Sequence, residues 1–160
     1  MQQQTKYNYT TLENSYLTPP DLIQKALQIL ALEKGLATVT KFDCDVCCSE
    51  QNIPASCYFV NGLKDGLREN WKEWNWCNPP YDQCIQWVKK AYAEQLKGHN
   101  TIMLIPVRTE TAYWHNYILY NENIKIYWLR KGAKFIDPLT KKSMGTFKNA
   151  LALVVFRGVK

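Results

Sequence analysis

Asn78-Pro79-Pro80-Tyr81 joins an amide, a rigid donor-poor elbow and a phenol within four residues. Neither proline can donate to a strand ladder, so the pair ends a strand rather than continuing it. Asn78 offers a side-chain carbonyl. The Pro79 backbone carbonyl is left open because Pro80 has no N–H. Two acceptors on a stiff turn suit an amino group that gives two hydrogen bonds at once. The exocyclic amine of a nucleobase is such a group, and its lone pair is delocalised into the ring. Accepting both of its hydrogens favours a pyramidal nitrogen with its lone pair turned toward an electrophile, which helps most in the transition state. Tyr81 can stack on the base once that base has left its duplex. The plainer reading of the same residues is a double-proline turn with a buried tyrosine.

A second group of side chains lies in "FDCDVCC", where Asp43 and Asp45 fall at the expected close of a strand. Ligands of open parallel sheets lie beyond the carboxyl ends of the strands, and "NPPY" and Arg108, after "MLIPV", mark two more such ends. No G-x-G-x-x-G or phosphate-cradling loop is present, so neither a dinucleotide nor a nucleoside triphosphate is expected. Cys44 and Cys47 have the spacing of a zinc half-site, but Cys77 and Cys84 do not complete it and His99 and His115 do not pair. The cysteines are read as reduced core thiols, with no metal.

The elements that must position these residues follow from periodicity. "LTPPDLIQKALQILALEKG" predicts a helix with Thr18 as cap, a proline in the first turn and Gly35 as stop. "ATVTKFDCDV" (37–46) predicts a strand ending near Asp45, "CYFV" a short strand and "WNWC" a core strand. "DQCIQWVKKAYAEQLKG" predicts a helix, "NTIMLIP" a strand buried on both faces, and "TETAYWHNYILYN" a helix capped by Thr109. "NIKIYWL" and "ALALVVF" predict two more strands joined by a basic loop. Strand and helix alternate, which implies an α/β sandwich with a mostly parallel sheet that closes in a C-terminal antiparallel hairpin. Residues 1–15 read as a flexible arm and 16–160 as a single domain.

Apolar residues make up 46% of the chain and charged residues 21%, as in an ordinary globular domain. No run is long enough to span a membrane and no leader pattern opens the chain, so a cytoplasmic location is expected. Net charge is +6 and unevenly placed. Residues 121–160 hold nine Lys or Arg against two acids, whereas residues 1–120 hold eleven basic and twelve acidic side chains. A basic quarter of this kind fits a polyanionic partner as well as it fits a solvated surface.

From about residue 16 to residue 157 the chain resembles the phage-type, Dam-like family of S-adenosylmethionine-dependent DNA N-6-adenine methyltransferases. The resemblance is carried in order by "YLTPPDLIQKAL", "FDCDVCCSEQNIPASCYF", "DGL", "WCNPPY", "IQWVKKA", "MLIPVRTETAYWHNYI" and "FKNALALVVF". It implies a Rossmann-like class I methyltransferase sandwich and methyl transfer to adenine N-6 in double-stranded DNA, in the host cytoplasm if phage-encoded. Asn78, Pro79, Pro80 and Tyr81 match the catalytic motif that holds the flipped adenine. Tyr16, Thr18, Pro19, Asp43, Asp45, Cys47 and Asp65 match segments around S-adenosylmethionine. Arg108, Arg130, Lys131, Lys134, Lys141 and Lys142 are expected to meet DNA phosphates. The usual glycine-bearing first motif is replaced by "DVCC", and "RKGAKF" stands where relatives carry Gly-Arg. Methylation of another planar amine (DNA cytosine, RNA adenine or protein glutamine) and a catalytically inactive nucleic-acid-binding relative remain alternatives. The expected oligomeric state is monomer or weak dimer.

Overall fold

The computed structural model describes residues 16–130 and 132–160, so the expected arm 1–15 lies outside the described residues, as does Lys131. A six-stranded sheet in the order β2-β1-β3-β4-β6-β5 organises the chain. Its strands are β1 (Cys44–Cys48), β2 (Tyr58–Val60), β3 (Trp74–Cys77), β4 (Asn100–Pro106), β5 (Ile124–Trp128) and β6 (Leu151–Phe156). The pairs β1–β2, β1–β3 and β3–β4 are parallel, while β6 runs antiparallel to both β4 and β5. The two closing strands therefore pair as expected, with β6 set inside the sheet rather than at its edge.

Side-chain alternation divides the core between the two faces. Ile102 and Leu104 of β4, with Leu151, Leu153 and Val155 of β6, pack under helix α1 (Pro20–Lys34). Met103 and Ile105, with Ala152, Val154 and Phe156, pack against helix α2 (Cys84–Leu96) and the short helix α3 (Ala112–Trp114). Helix α1 opens with Pro20 at its first position and closes at Gly35, whose φ of 65° needs a residue without Cβ strain.

Three elements depart from the sequence expectation. The first strand is Cys44–Cys48 instead of 37–46, because residues 37–41 stay largely exposed and β-branched residues without a surface to cover gain nothing from a strand. Asp43 thus precedes β1, and Asp45 lies inside it rather than at its end. Thr18 does not cap α1, since Pro19 takes the cap position without a side-chain bond. The helix expected from Thr109 starts after Thr111, whose hydroxyl donates to the Arg108 carbonyl at 2.6 Å, and it widens into a π-helical turn at His115–Leu119. The wider turn broadens the apolar face, so that Trp114, Tyr117 and Ile118 all reach the core.

Candidate active site

The parallel strands β1, β3 and β4 point their carboxyl ends the same way, toward Cys48, Cys77 and Pro106. A narrow cleft of about 30 Å³ lies at the ends of β1 and β3. Asp45, Cys47 and Cys48 form one wall, Tyr16, Leu17 and Thr18 another, and Asn78 and Pro80 stand at its edge. Pro79 is buried directly behind them and Pro19 is buried at the head of α1.

Asn78 is held in one orientation. Its amide nitrogen donates to the Tyr16 carbonyl at 3.2 Å and to Thr18 Oγ1 at 3.3 Å. A backbone carbonyl can only accept, so the nitrogen must face Tyr16 and Oδ1 must face away. Among the described residues no backbone N–H donates to the Pro79 carbonyl, whereas the Pro80 carbonyl is taken by Gln83 N–H at 3.0 Å. Thr18 is itself fixed, being 2% exposed with its N–H on Asn52 Oδ1 at 2.7 Å. Its sequence role as a cap is replaced by a role in aiming Asn78.

Asp45 is 3% exposed and receives one long hydrogen bond, from the Cys47 N–H at 3.3 Å. Burial pushes its carboxyl up to about 7, offset only in part by that N–H. A buried acid with so little compensation is fitted to a cationic ligand in the cleft, such as an α-ammonium or a sulfonium. Cys47 and Cys48 lie on the same wall, and burial raises the Cys48 thiol far above its ordinary value, so it stays protonated. All six cysteines are free thiols.

Tyr81 opens a short 3₁₀ turn (Tyr81–Gln83) that leads into α2. Its ring is half-buried while its phenol oxygen is fully buried, and burial keeps the phenol neutral. The rings of Phe135 and Phe147 meet it edge-on at 6.0 and 5.4 Å. Next to this aromatic group, cavities of about 370 and 320 Å³ open, and Tyr16 and Phe147 line both. Tyr16 also lines the cleft, so one residue borders the cleft and both cavities beside Tyr81.

The remaining predicted residues are more dispersed. Asp43 accepts the Trp74 N–H at 2.9 Å and does not line the cleft. Asp65 accepts the Leu67 N–H at 3.0 Å, pairs with Arg68 at 3.3 Å and lines a separate cavity. Asn61 borders both that cavity and the cleft. Arg108 lines the cavity beside Tyr81 but is paired with Glu110 at 2.7 Å. Lys141 is paired with Glu50, and Arg130, Lys134 and Lys142 are exposed. Sequence reasoning missed Asn52, Asn61, Phe135 and Phe147. The polar run "SEQN" after β1 is the one signal that pointed toward the first of them.

These features define an α/β fold with a cleft at the carboxyl ends of its parallel strands. Residues 18–160 match the family model described as DNA N-6-adenine-methyltransferase (Dam), and the chain belongs to that family. Membership implies methylation of adenine N-6 in DNA, for which the family typically uses S-adenosylmethionine. Comparison with curated proteins returns no match. Among the described residues no helix is long and apolar enough to cross a membrane.

Proposed function

We propose that the chain methylates adenine N-6 in double-stranded DNA, with the target base flipped onto Tyr81 and its amine held by Asn78 and Pro79. The observation that carries this reading is the orientation of Asn78. Its nitrogen is spent on Tyr16 and Thr18, leaving Oδ1 as an acceptor at the rim of the cleft that contains Asp45. The strand order, with β6 antiparallel between β4 and β5, supports the Rossmann-like methyltransferase sandwich as a single domain over residues 16–160.

When bound, S-adenosylmethionine supplies a sulfonium-activated methyl group. The residues fitted to hold it are Asp45, which would face a cationic group, Tyr16, Leu17 and Thr18 on the opposite wall, and Cys47 beside them. Asp65 with Asn61 would lie toward a more distant part of the same ligand. Asn78 Oδ1 and the Pro79 carbonyl take the two amine hydrogens and orient the nitrogen lone pair. Neither oxygen is basic enough to keep the proton, which passes to water. Positioning and exclusion of water therefore carry most of the acceleration. Arg108, Arg130, Lys134, Lys141 and Lys142 supply phosphate contacts, for which Arg108 and Lys141 exchange Glu110 and Glu50 for DNA.

The test supplies methyl-labelled cofactor with unmethylated DNA, RNA and bulk protein and locates the label by nucleoside mass spectrometry. Label is expected in DNA adenine, and Asn78→Ala should cut it by roughly a hundred- to a thousandfold, as for loss of one transition-state contact. Label in RNA, protein or cytosine overturns the substrate, and an Asn78→Ala variant of normal rate overturns the mechanism.

A further inference from the structure

Between β5 and β6 the chain builds a hairpin whose root and tip have opposite characters. At the root, Met144 N–H bonds the Phe135 carbonyl at 2.9 Å and Phe147 N–H bonds the Ala133 carbonyl at 2.8 Å. Ala133 and Phe135 are buried in the core, and Phe135 and Phe147 are the rings that touch Tyr81. Ile136 is bridged on one side to Leu17 and on the other to Ser143, which makes a small three-stranded ribbon. The root is therefore fixed to the site.

The tip is equally well fixed, yet it presents an apolar side chain to water. Asp137 Oδ1 accepts the N–H groups of Leu139 at 2.7 Å and Thr140 at 3.1 Å. Asp137 also exchanges backbone bonds with Lys141 at 2.8 Å and Lys142 at 2.9 Å, and Lys141 adopts a φ of 58° to close the turn. Within this clamp Leu139 is 70% exposed, and Met144 on the returning strand is 49% exposed. Residues 130–148 carry six basic side chains against one acid. Leu139 is four residues from Phe135, so the tip lies within roughly 14 Å of the base pocket, well under one turn of duplex.

We propose that Leu139 is a wedge that enters the base stack beside the target adenine and occupies the space the flipped base leaves. A preordered apolar tip flanked by lysines fits a polyanion with an apolar interior, which is what a duplex offers. Apolar side chains that unstack base steps work in this way. Leu139 is thus a positioning residue that lowers the work of extrusion and does not touch the reacting nitrogen. The inference rests on the DNA reading above.

The experiment compares wild type, Leu139→Ala and Leu139→Phe on unmethylated bacterial DNA, native and heat-denatured. Leu139→Ala should label native DNA roughly tenfold or more slowly, because extrusion is no longer assisted, and label denatured DNA within about twofold of wild type. Leu139→Phe should restore the native rate. Equal losses on both DNA forms, or no loss on either, overturn the wedge. If wild type labels neither form, the methylation reading fails and the wedge is judged on unstacking alone. Permanganate reactivity of thymines in a bound duplex should then be high for wild type and low for Leu139→Ala, and equal reactivity overturns it.

Discussion

Among the described residues two acidic residues are buried, and they differ in the company they keep. Glu94, near the end of α2, is fully buried and takes Lys90 at 2.7 Å, Lys97 at 3.0 Å and His99 at 2.7 Å. Burial would raise it, but the bonds from Lys90, His99 and Lys97 outweigh burial and bring it to about 2. Asp45, at the cleft, has one long N–H and is pushed up to about 7. Glu94 is a finished piece of architecture. Asp45 is left incomplete by its own chain, and in the function proposed above a positive ligand would complete it. The contrast separates two kinds of buried charge that burial alone does not distinguish.

The largest effect that tests this contrast is on stability. Glu94→Gln leaves Lys90, Lys97 and His99 facing a neutral amide and should cost about 3 kcal/mol in a urea melt, with cofactor affinity unchanged. Asp45→Asn should do the reverse. It should weaken S-adenosylmethionine by roughly a hundredfold in calorimetry while leaving the apoprotein at least as stable as wild type. A cofactor-binding defect in Glu94→Gln, or an intact one in Asp45→Asn, would erase the distinction.

Smaller effects come from pH. A cationic ligand needs Asp45 ionised, so affinity should fall about tenfold per pH unit below about 7 and level off above it. Binding near neutral pH should then release a proton, seen as calorimetric heats that change with the buffer. The apoprotein should show opposite slopes from the two acids. Asp45 is raised above its unfolded value of 3.8, so its contribution to stability declines as pH rises from there toward about 7. Glu94 is lowered below 4.5, so its contribution is present above that value and is lost as pH falls toward about 2. Each slope should vanish only in its own variant.

The difference between the two acids also marks how far the sequence could be read. Asn78, Pro79, Pro80 and Tyr81 announce themselves because the elbow is contiguous, and Asp45 because it sits in an apolar run. Helical spacing on α2 puts Cys84, Ile85, Val88, Ala91, Tyr92 and Leu96 on one apolar face, yet Ile85 and Leu96 are exposed while Trp87 and Glu94 point inward. Periodicity gave the elements but misplaced this face by part of a turn, since a buried acid is legible only through the partners that neutralise it. The aromatic pocket was hidden for a different reason. Tyr81 and Phe147 meet across most of the fold, and no local pattern encodes a contact of that sequence separation. Thr18 reads as a cap because its neighbours spell a helix start; its bond to Asn78 depends on the elbow after β3, far along the chain.

The placement of β6 has a consequence for biosynthesis. Strand β6 follows β4 and β5 in the chain yet sits between them, buried along its whole length. Until it arrives, β4 and β5 each present an unsatisfied edge, and the half-built sheet is open to pairing with other chains. A form truncated before Leu151–Phe156 is therefore expected to aggregate through these open edges, which light scattering on that truncation would check.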